Sequence, residues 1–483
     1  MNYGLVRYIV GRIILITGLL MIPSLIVGLI KGDAVPDLFS LVWGILIAAA
    51  LGGLLSFRRP RRPDFFMREG FVIVAISWLV LSALGALPFV ISGHVPSFVD
   101  ALFESASGFT TTGASVIVDV EALPYGLLFW RSFTHLIGGM GILVFALAVM
   151  PGLDSEGVHI MKAEVPGPTF GKLRAKVHSS ARVLYLIYIA MTAILIVLLL
   201  LGGMNWFDAF IHGFGTAGTG GFSNYRLSVG QFMDSTYIQV VLSIGMLLFG
   251  INFNLYYFFL RGDFRSIRRN EELRWYLGIV AVAVILIVIN LYPTSHNTGH
   301  LWRDAFFTVS SIITTTGYAT VNFALWPPFS RYLLLLLMFI GGMAGSTAGG
   351  LKVGRVAIYF KSVIKEIRRG ISPNRRLMVR FEGKALSHRT TARLAYYLMT
   401  FMFLFLLVLI PVTLSSETFL TAFSAVASTF SNVGPGLDSV GPHGNFAGFS
   451  AANKLLLTLT MIMGRLEIFP ILVLLSPRTW RRT

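Results

Sequence analysis

The chain has 483 residues, of which 55% are hydrophobic and only 13% are charged, and its mean hydropathy is +0.75. Soluble domains average roughly 25% charged residues, so this composition excludes a soluble globular protein and indicates an integral membrane protein. Cysteine is absent, which excludes disulfide bonds and thiolate metal sites.

The net charge of +17 is unevenly distributed along the chain. Lys and Arg concentrate in alternate loops between apolar runs, which is the positive-inside pattern of membrane proteins. We therefore expect membrane lipid around the protein and no nucleic-acid partner. The first apolar run, near 9–30, lacks a convincing small-residue cleavage site and is expected to remain as a helix.

Apolar runs of about twenty residues predict helices that cross a bilayer. After a leading pair near 9–30 and 39–56, eight further spans group into four units, each with a short loop between two spans. Under this count every basic loop lies on one side, so both ends of the chain are expected in the cytoplasm. The predicted segments are a leading transmembrane hairpin (1–57), pore unit one (70–150), unit two (183–261), unit three with an intramembrane loop (275–361), a basic cytoplasmic linker (362–393), unit four (394–475) and a cytoplasmic tail (476–483).

One pattern recurs at equal offset in the four predicted loops. In each loop, a segment that reads Asp-Ala followed by an aromatic residue, or a similar sequence, precedes a short polar segment that ends in glycine. We call the first segment the lead-in. Loop glycines and Thr-rich turns would explain one copy, but four copies at equal spacing favour a pore lining made of backbone carbonyls. The predicted filter loops are Thr110, Thr111, Thr112 and Gly113 in loop one, Gly218, Thr219, Gly220 and Gly221 in loop two, Thr314, Thr315, Thr316 and Gly317 in loop three, and Ser431, Asn432, Val433 and Gly434 in loop four.

These residues predict an all-α polytopic membrane protein with a potassium-channel-like plan. A leading two-helix hairpin is followed by four pseudo-repeated helix–pore-loop–helix units around one central pore. Uncharged carbonyls can replace the water around a monovalent cation without trapping it. A metal is therefore expected only as a monovalent cation at the filter loops, which the resemblance described below implies is potassium, and no covalent cofactor or catalytic residue is predicted.

A second feature is the run of small residues at 341–350, inside the second span of unit three. It is not a Walker A loop, because Gly350 is followed by Leu351 and Lys352 rather than by Lys-Ser/Thr. A close-packing glycine face is one alternative; unwound backbone within the membrane is the other, and we call the run the intramembrane loop. The candidate gate residues are Gly345, Ser346, Thr347, Ala348, Gly349, Gly350 and Arg465.

Charged residues within predicted spans are costly and often functional. Arg465 and Glu467 both lie within the last predicted span, where Arg465 can pair with Glu467 or with backbone. Glu104 and His212 occupy equivalent positions in the first two pore helices, where hydrogen bonding is expected rather than ion ligation.

The sequence resembles the Trk/Ktr/HKT superfamily of potassium and sodium transporters, and within it the bacterial TrkH/TrkG branch. The resemblance covers essentially the full chain. It rests on FESASGFTTTGA at 103–114, GGFS at 220–223, TTTGY at 314–318, NVGPG at 432–436, AEVPGP at 163–168 and GRLE at 464–467.

The resemblance implies a potassium uptake subunit of the bacterial inner (plasma) membrane. It also implies a homodimer that works with a TrkA-like cytosolic nucleotide-binding regulatory subunit, so that any nucleotide is bound by the partner. In relatives the intramembrane loop obstructs the pore beneath the filter, and an arginine like Arg465 faces it. Sodium- or proton-coupled potassium symport remains an alternative, because the sequence does not distinguish it from channel-like flow. A less potassium-selective monovalent cation transporter is another alternative, since loop four lacks a Thr run.

Overall fold

The computed structural model describes residues 1–58, 67–141, 177–294, 298–372 and 377–480. Parts of several predicted segments lie outside these residues. They are most of the basic loop at 58–62, the end of unit one (142–150), most of the polar segment 151–182, residues 373–376 of the linker and residues 481–483 of the tail.

The chain begins with two helices, Tyr3–Lys31 and Val35–Ser56, that pack closely along their length. Glycines allow this close approach, because a Cβ on Gly11 or Gly52 would lie only 2.7 Å from a leucine side-chain carbon of the other helix. The turn between them carries Asp33, whose carboxylate accepts hydrogen bonds from the backbone N–H groups of residues 125 and 126 at 3.0 and 2.7 Å. The leading hairpin therefore caps a helix of unit one.

Four units follow, each with an outer helix, a short pore helix and an inner helix. The outer helices are Met67–Ile91, Val177–Leu201, Glu271–Leu291 and His388–Leu414. The pore helices are Phe98–Phe109, Trp206–Gly218, Thr298–Ile313 and Phe419–Ser431. The inner helices begin with Tyr125–Gly139, Thr236–Phe249, Pro328–Ile340 and Ala451–Arg465.

The pore helices lie at the centre of the molecule. In the second of them every residue from Phe207 to Gly218 is buried except Phe210. In three pore helices the side chain of the N-cap residue accepts a hydrogen bond from a backbone N–H group of the first turn. These N-cap residues are Ser97, Asn205 and Thr418. Such N-caps stabilise short helices that could not form alone.

The inner helices of units two and four break where the sequence predicted single long spans, whereas the span of unit three is broken as expected. Unit two bends by 93° into Phe253–Leu260, and unit four bends by 120° into Phe469–Leu475. The expectation of continuous spans near 236–260 and 453–475 is therefore wrong. In unit four the break has a local cause, because Glu467 and Ile468 have positive φ angles of 54° and 71° and the next helix has Pro470 as its second residue.

Among the described residues, six continuous helices are long and apolar enough to cross a membrane, or eight if each bent pair counts as one span. The inner helix of unit three resumes as Val353–Ile371, so part of the expected linker is helical. The linker continues as a two-stranded hairpin, Arg380–Phe381 paired with Lys384–Ala385. The remaining elements are the short helices Phe264–Arg269 and Pro477–Trp480 and the 3-10 turns Ser228–Phe232, Tyr292–Thr294, Phe323–Leu325 and Asp438–Val440.

Candidate ion filter and pore constriction

The four predicted filter loops adopt one backbone conformation. The second residue of each loop has a φ angle of 53° to 56°, and the glycine at the fourth position has a φ angle of 75° to 101°. Positive φ is cheap for glycine and tolerated by asparagine, but it strains threonine by about 1–2 kcal/mol. The residues concerned are Thr111, Thr219, Thr315 and Asn432 at the second position and Gly113, Gly221, Gly317 and Gly434 at the fourth. Loop four thus matches the others although it contains no threonine.

The loops form a closed ring around one axis. A Cβ built on Gly113 would overlap the carbonyl oxygen of Gly220, and one on Gly221 would overlap that of Thr316. A Cβ on Gly317 would likewise overlap the carbonyl oxygen of Val433. The ring closes because a Cβ on Gly434 would lie 2.6 Å from the carbonyl oxygen of Thr112. The third carbonyl of each loop therefore abuts the glycine of the preceding loop, with no room for a side chain.

All four glycines also line one cavity, of about 100 Å³, on the outer side of the ring. Its wall includes Arg131, Arg226 and His443 from three different units. His443 is partly buried, and burial together with nearby Arg226 lowers the pKa of its imidazole. The mouth of the ring therefore carries fixed positive charge beside a titratable histidine.

Hydrogen bonds between side chains and backbone hold the loops in shape. In loops one and three the first and third threonines pair through their hydroxyls, each at 2.8 Å. In loop four the amide of Asn432 instead donates to Thr112 Oγ1 and to the carbonyl of Met461, both at 2.9 Å. The amide therefore ties loop four to loop one, in the place of the missing Thr run.

Glu104 supports the filter from behind. Its carboxylate accepts from the backbone N–H of Val116 at 3.0 Å and pairs with Arg131, whose Nε lies 2.5 Å away. Arg131 also donates to the carbonyl oxygen of Ser223 at 3.0 Å, and its guanidinium lies 3.5 Å from the ring centroid of Phe222. This buried pair links the strands of loops one and two. The sequence analysis predicted hydrogen bonding for Glu104 but missed Arg131.

Two buried histidines also have structural partners. His135 has its Nδ1 2.8 Å from the carbonyl oxygen of Gly108, and its Nε2 accepts from the backbone N–H of Phe222 at 3.2 Å. Those partners require a neutral ring protonated at Nδ1. His212 lies in the second pore helix, as the sequence predicted. Its Nδ1 is 2.8 Å from the carbonyl oxygen of Asp208 in the same helix, and its Nε2 is 3.1 Å from the hydroxyl oxygen of Ser223.

Carboxylates lie at the outer ends of the pore helices, where the helix dipole favours them. Asp100 pairs with Lys454 at 2.6 Å, and Asp208 accepts from Asn224 at 2.8 Å. Unit four has Thr421 at the equivalent position, and its hydroxyl donates at 3.0 Å to Asp438, a residue downstream of the filter. The four segments that precede the filter loops in the sequence could not predict this role of Asp438, because Asp438 lies after its loop.

The intramembrane loop lies directly beneath the filter. The backbone N–H of Gly349 donates to Thr315 Oγ1 at 2.7 Å, and a Cβ on Gly349 would lie 3.1 Å from the Cβ of Asn432. The loop therefore touches the bases of filter loops three and four. Its other face is hydrogen-bonded to unit two at the break in the inner helix, where the backbone N–H of Met343 donates to the carbonyl oxygen of Gly250 at 3.0 Å.

Arg465 joins the intramembrane loop to unit one. Its guanidinium donates to the carbonyl oxygen of Thr347 at 2.7 Å and to those of Gly138 and Gly139 at 2.5 and 2.6 Å. Glu467 pairs with Arg355 instead, so the alternative pairing of Arg465 with Glu467 is wrong. The guanidinium thus satisfies carbonyls left open where two inner helices end.

Two further charged residues, which the sequence analysis did not select, anchor the same loop. The Lys352 ammonium donates to the carbonyl oxygen of Ala348. One carboxylate oxygen of Glu272 accepts from the backbone N–H groups of Ala344, within the loop, at 2.8 Å and of Gly354, just after the loop, at 3.0 Å. Both residues are buried. In the sequence each is recognisable only as a charged residue within or next to a predicted span.

This architecture defines a class of protein: an all-helical, multi-pass membrane protein in which four pore-helix units of one chain surround a common centre. The profile of the TrkH family, described as "Cation transport protein", matches residues 38–482, and the chain belongs to this family. It is accordingly a membrane transport protein and not an enzyme.

Individual relatives agree with this assignment. The chain is 36% identical over 493 residues to the "Trk system potassium uptake protein TrkH" of Salmonella typhimurium, with all of both chains covered. It is 33% identical to the "Trk system potassium uptake protein TrkG" of Escherichia coli, over 99% of this chain and 98% of that protein. The crystal structure of the potassium transporter TrkH from Vibrio parahaemolyticus superimposes with a TM-score of 0.88 at 32% identity, covering both chains completely.

Proposed function

We propose that the protein takes up potassium ions across the bacterial plasma membrane through the ring of four filter loops. The observation that carries the proposal is the closure of the ring, in which the third carbonyl of each loop abuts the glycine of the preceding loop. Such carbonyls supply oxygen ligands without formal charge. The names of the relatives, which are potassium uptake proteins, support the choice of ion.

Electrostatics of the fold favour a cation at this place. All four pore helices end at the filter loops, so the partial negative charge of each helix C-terminus lies next to the ring. An ion that enters a cell with an inside-negative potential gains about 2.3 kcal/mol per 100 mV. Uptake can therefore proceed without ATP hydrolysis by this chain.

The intramembrane loop is proposed as the gate. It contacts the underside of filter loops three and four through Gly349, and Arg465 fixes it by a hydrogen bond to Thr347. The loop continues directly into the helix Val353–Ile371, whose end carries the exposed cations Arg368 and Arg369. A force applied to this helix from the cytoplasm would act on the loop.

The proposed regulator is a TrkA-like cytosolic nucleotide-binding subunit that docks on basic segments of the cytoplasmic face, with the protein acting as a homodimer and both termini in the cytoplasm. The name "Trk system" given to the relatives is consistent with more than one component. The docking segment would include Arg375 and Arg376 of the linker, which lie outside the described residues.

Rubidium flux into proteoliposomes tests the proposal. Flux should follow an imposed potassium-diffusion potential, be inhibited by potassium more strongly than by sodium, and need no gradient of sodium or protons. If flux persists against the electrical driving force when a sodium or proton gradient is imposed, the protein is a coupled symporter. Equal inhibition by sodium and potassium would instead identify a less selective cation transporter.

A further inference from the structure

An apolar groove runs between the outer helix Glu271–Leu291 and the inner helix Pro328–Ile340 of unit three. Its volume is about 600 Å³, within the range of roughly 300–1,000 Å³ of small-molecule sites. Val282 and Leu336, which are exposed, form part of its walls. Gly278 leaves the groove open, because a Cβ at this position would meet no atom within 4 Å.

The length of the groove matches one leaflet of a membrane. Along the outer helix its lining extends from Glu271, the first helical residue, to Ala283. Twelve residues of α-helix rise about 18 Å, at 1.5 Å per residue. The hydrocarbon core of a bilayer is about 30 Å thick, so one leaflet accounts for about 15 Å.

The end of the groove near the start of the outer helix is polar and positively charged. Arg274, an exposed residue, and Trp275 line this end, and they belong to the residue types that settle at membrane interfaces. Glu271 also lines it, but its carboxylate is already paired with Lys361. The Glu271–Lys361 pair is neutral, and the nearby Glu382 carboxylate accepts from the backbone N–H groups of Glu271 and Glu272. Among the residues that line the groove, Arg274 therefore supplies the exposed charge, which is positive.

We propose that this groove binds one phospholipid of the cytoplasmic leaflet, with an acyl chain between the two helices and an anionic headgroup at Arg274. The bound chain would reach Ile340, which lines the groove and directly precedes the intramembrane loop. Charge complementarity at Arg274 favours an anionic lipid over a zwitterionic one.

Fluorescence quenching by brominated lipid tests this site at Trp275. The full chain is reconstituted in phosphatidylcholine vesicles with increasing fractions of dibrominated phosphatidylglycerol or, separately, dibrominated phosphatidylcholine. Subtracting the signal of a Trp275→Phe variant isolates the quenching at this tryptophan. Half-maximal quenching should need several-fold less brominated phosphatidylglycerol than brominated phosphatidylcholine.

Two variants and a matched control locate the binding. Arg274→Gln should weaken the preference for phosphatidylglycerol about five-fold, since one basic residue near the surface contributes about 1 kcal/mol. Gly278→Phe should fill the groove and abolish the saturable quenching. Gly53→Phe, at a helical glycine of the leading hairpin that is also open, should leave quenching unchanged.

Equal quenching by the two lipids would overturn the proposal, as would unaltered quenching of the Gly278→Phe variant. A third outcome also overturns it: Trp275 protected from both lipids while a Gly278→Cys variant forms crosslinks between two copies. In that case the groove is covered by a second chain.

Discussion

Replacing Arg465 by alanine should release the intramembrane loop. Among the described residues its guanidinium donates to three carbonyls, and of these that of Thr347, at 2.7 Å, belongs to the loop. A hydrogen bond from a charged donor contributes about 1.5–3 kcal/mol, so its loss should raise the open fraction of a mostly closed loop by about 10- to 150-fold. Basal rubidium flux in proteoliposomes without the cytosolic partner should rise, and stimulation by the partner should shrink.

Weaker perturbations of the same loop should give smaller effects. Thr347→Val removes only the hydrogen bond from its hydroxyl to the carbonyl oxygen of Phe249 (3.1 Å), a neutral bond contributing about 1 kcal/mol, so flux should rise about five-fold. Arg478→Ala, a change of an exposed arginine near the chain end, should leave flux unchanged and serves as the matched control.

Potassium-over-sodium selectivity should be largely kept in all these variants, because the loop lies below the filter carbonyls. The reasoning fails if Arg465→Ala folds normally, conducts less than the unmodified protein and responds to the partner as before. The loop would then be a packing element and not the gate.

Three further perturbations address other parts of the molecule. Asn432→Leu should lower the potassium-over-sodium permeability ratio, because it strains the positive φ and removes the amide bond to loop one, whereas Asn432→Gly should lower it less; equal ratios in both variants would contradict this. External acidification should reduce uptake only below pH 6.5, because burial and nearby Arg226 lower the pKa of His443, and its protonation adds positive charge at the mouth. Removing the nearby cation by Arg226→Gln should raise that pKa and move the decline to higher pH, and an unshifted profile would show that His443 does not act. Neutralising Arg368 and Arg369 should weaken binding of the cytosolic partner at low salt and have less effect at high salt, measured by co-sedimentation; unchanged binding at low salt would exclude these two cations from the docking surface.

The sequence was informative where the fold repeats itself. Four glycines at equal offset predicted four loops of one conformation, and the backbone at Gly113 and Gly434 bears this out. Periodicity and hydropathy could not predict the sharp bend after Phe249, because a broken apolar helix and a straight one have the same composition.

Side-chain partners from distant parts of the chain were also beyond the reach of sequence reasoning. Asp438 takes the place of a carboxylate missing from the fourth lead-in, and Glu272 holds the intramembrane loop from another helix. Both contacts depend on the packing of units in space, which local spacing does not encode. Arg465 was identified through family resemblance, and the structure added its bonds to unit one.

The central claim is that the ring of filter glycines selects the ion, and permeability ratios test it most directly. Serine is introduced singly at Gly113, Gly221, Gly317 and Gly434, where a Cβ would press on a carbonyl of the neighbouring loop. Gly93→Ser is the control, because Gly93 has the same φ of 80° as Gly113 but open space around it. We expect the potassium-over-sodium ratio to fall in all four filter variants and to stay unchanged in the control, and Gly113→Asp or Gly317→Asp to abolish uptake. Unmodified ratios in all four serine variants would contradict the filter assignment.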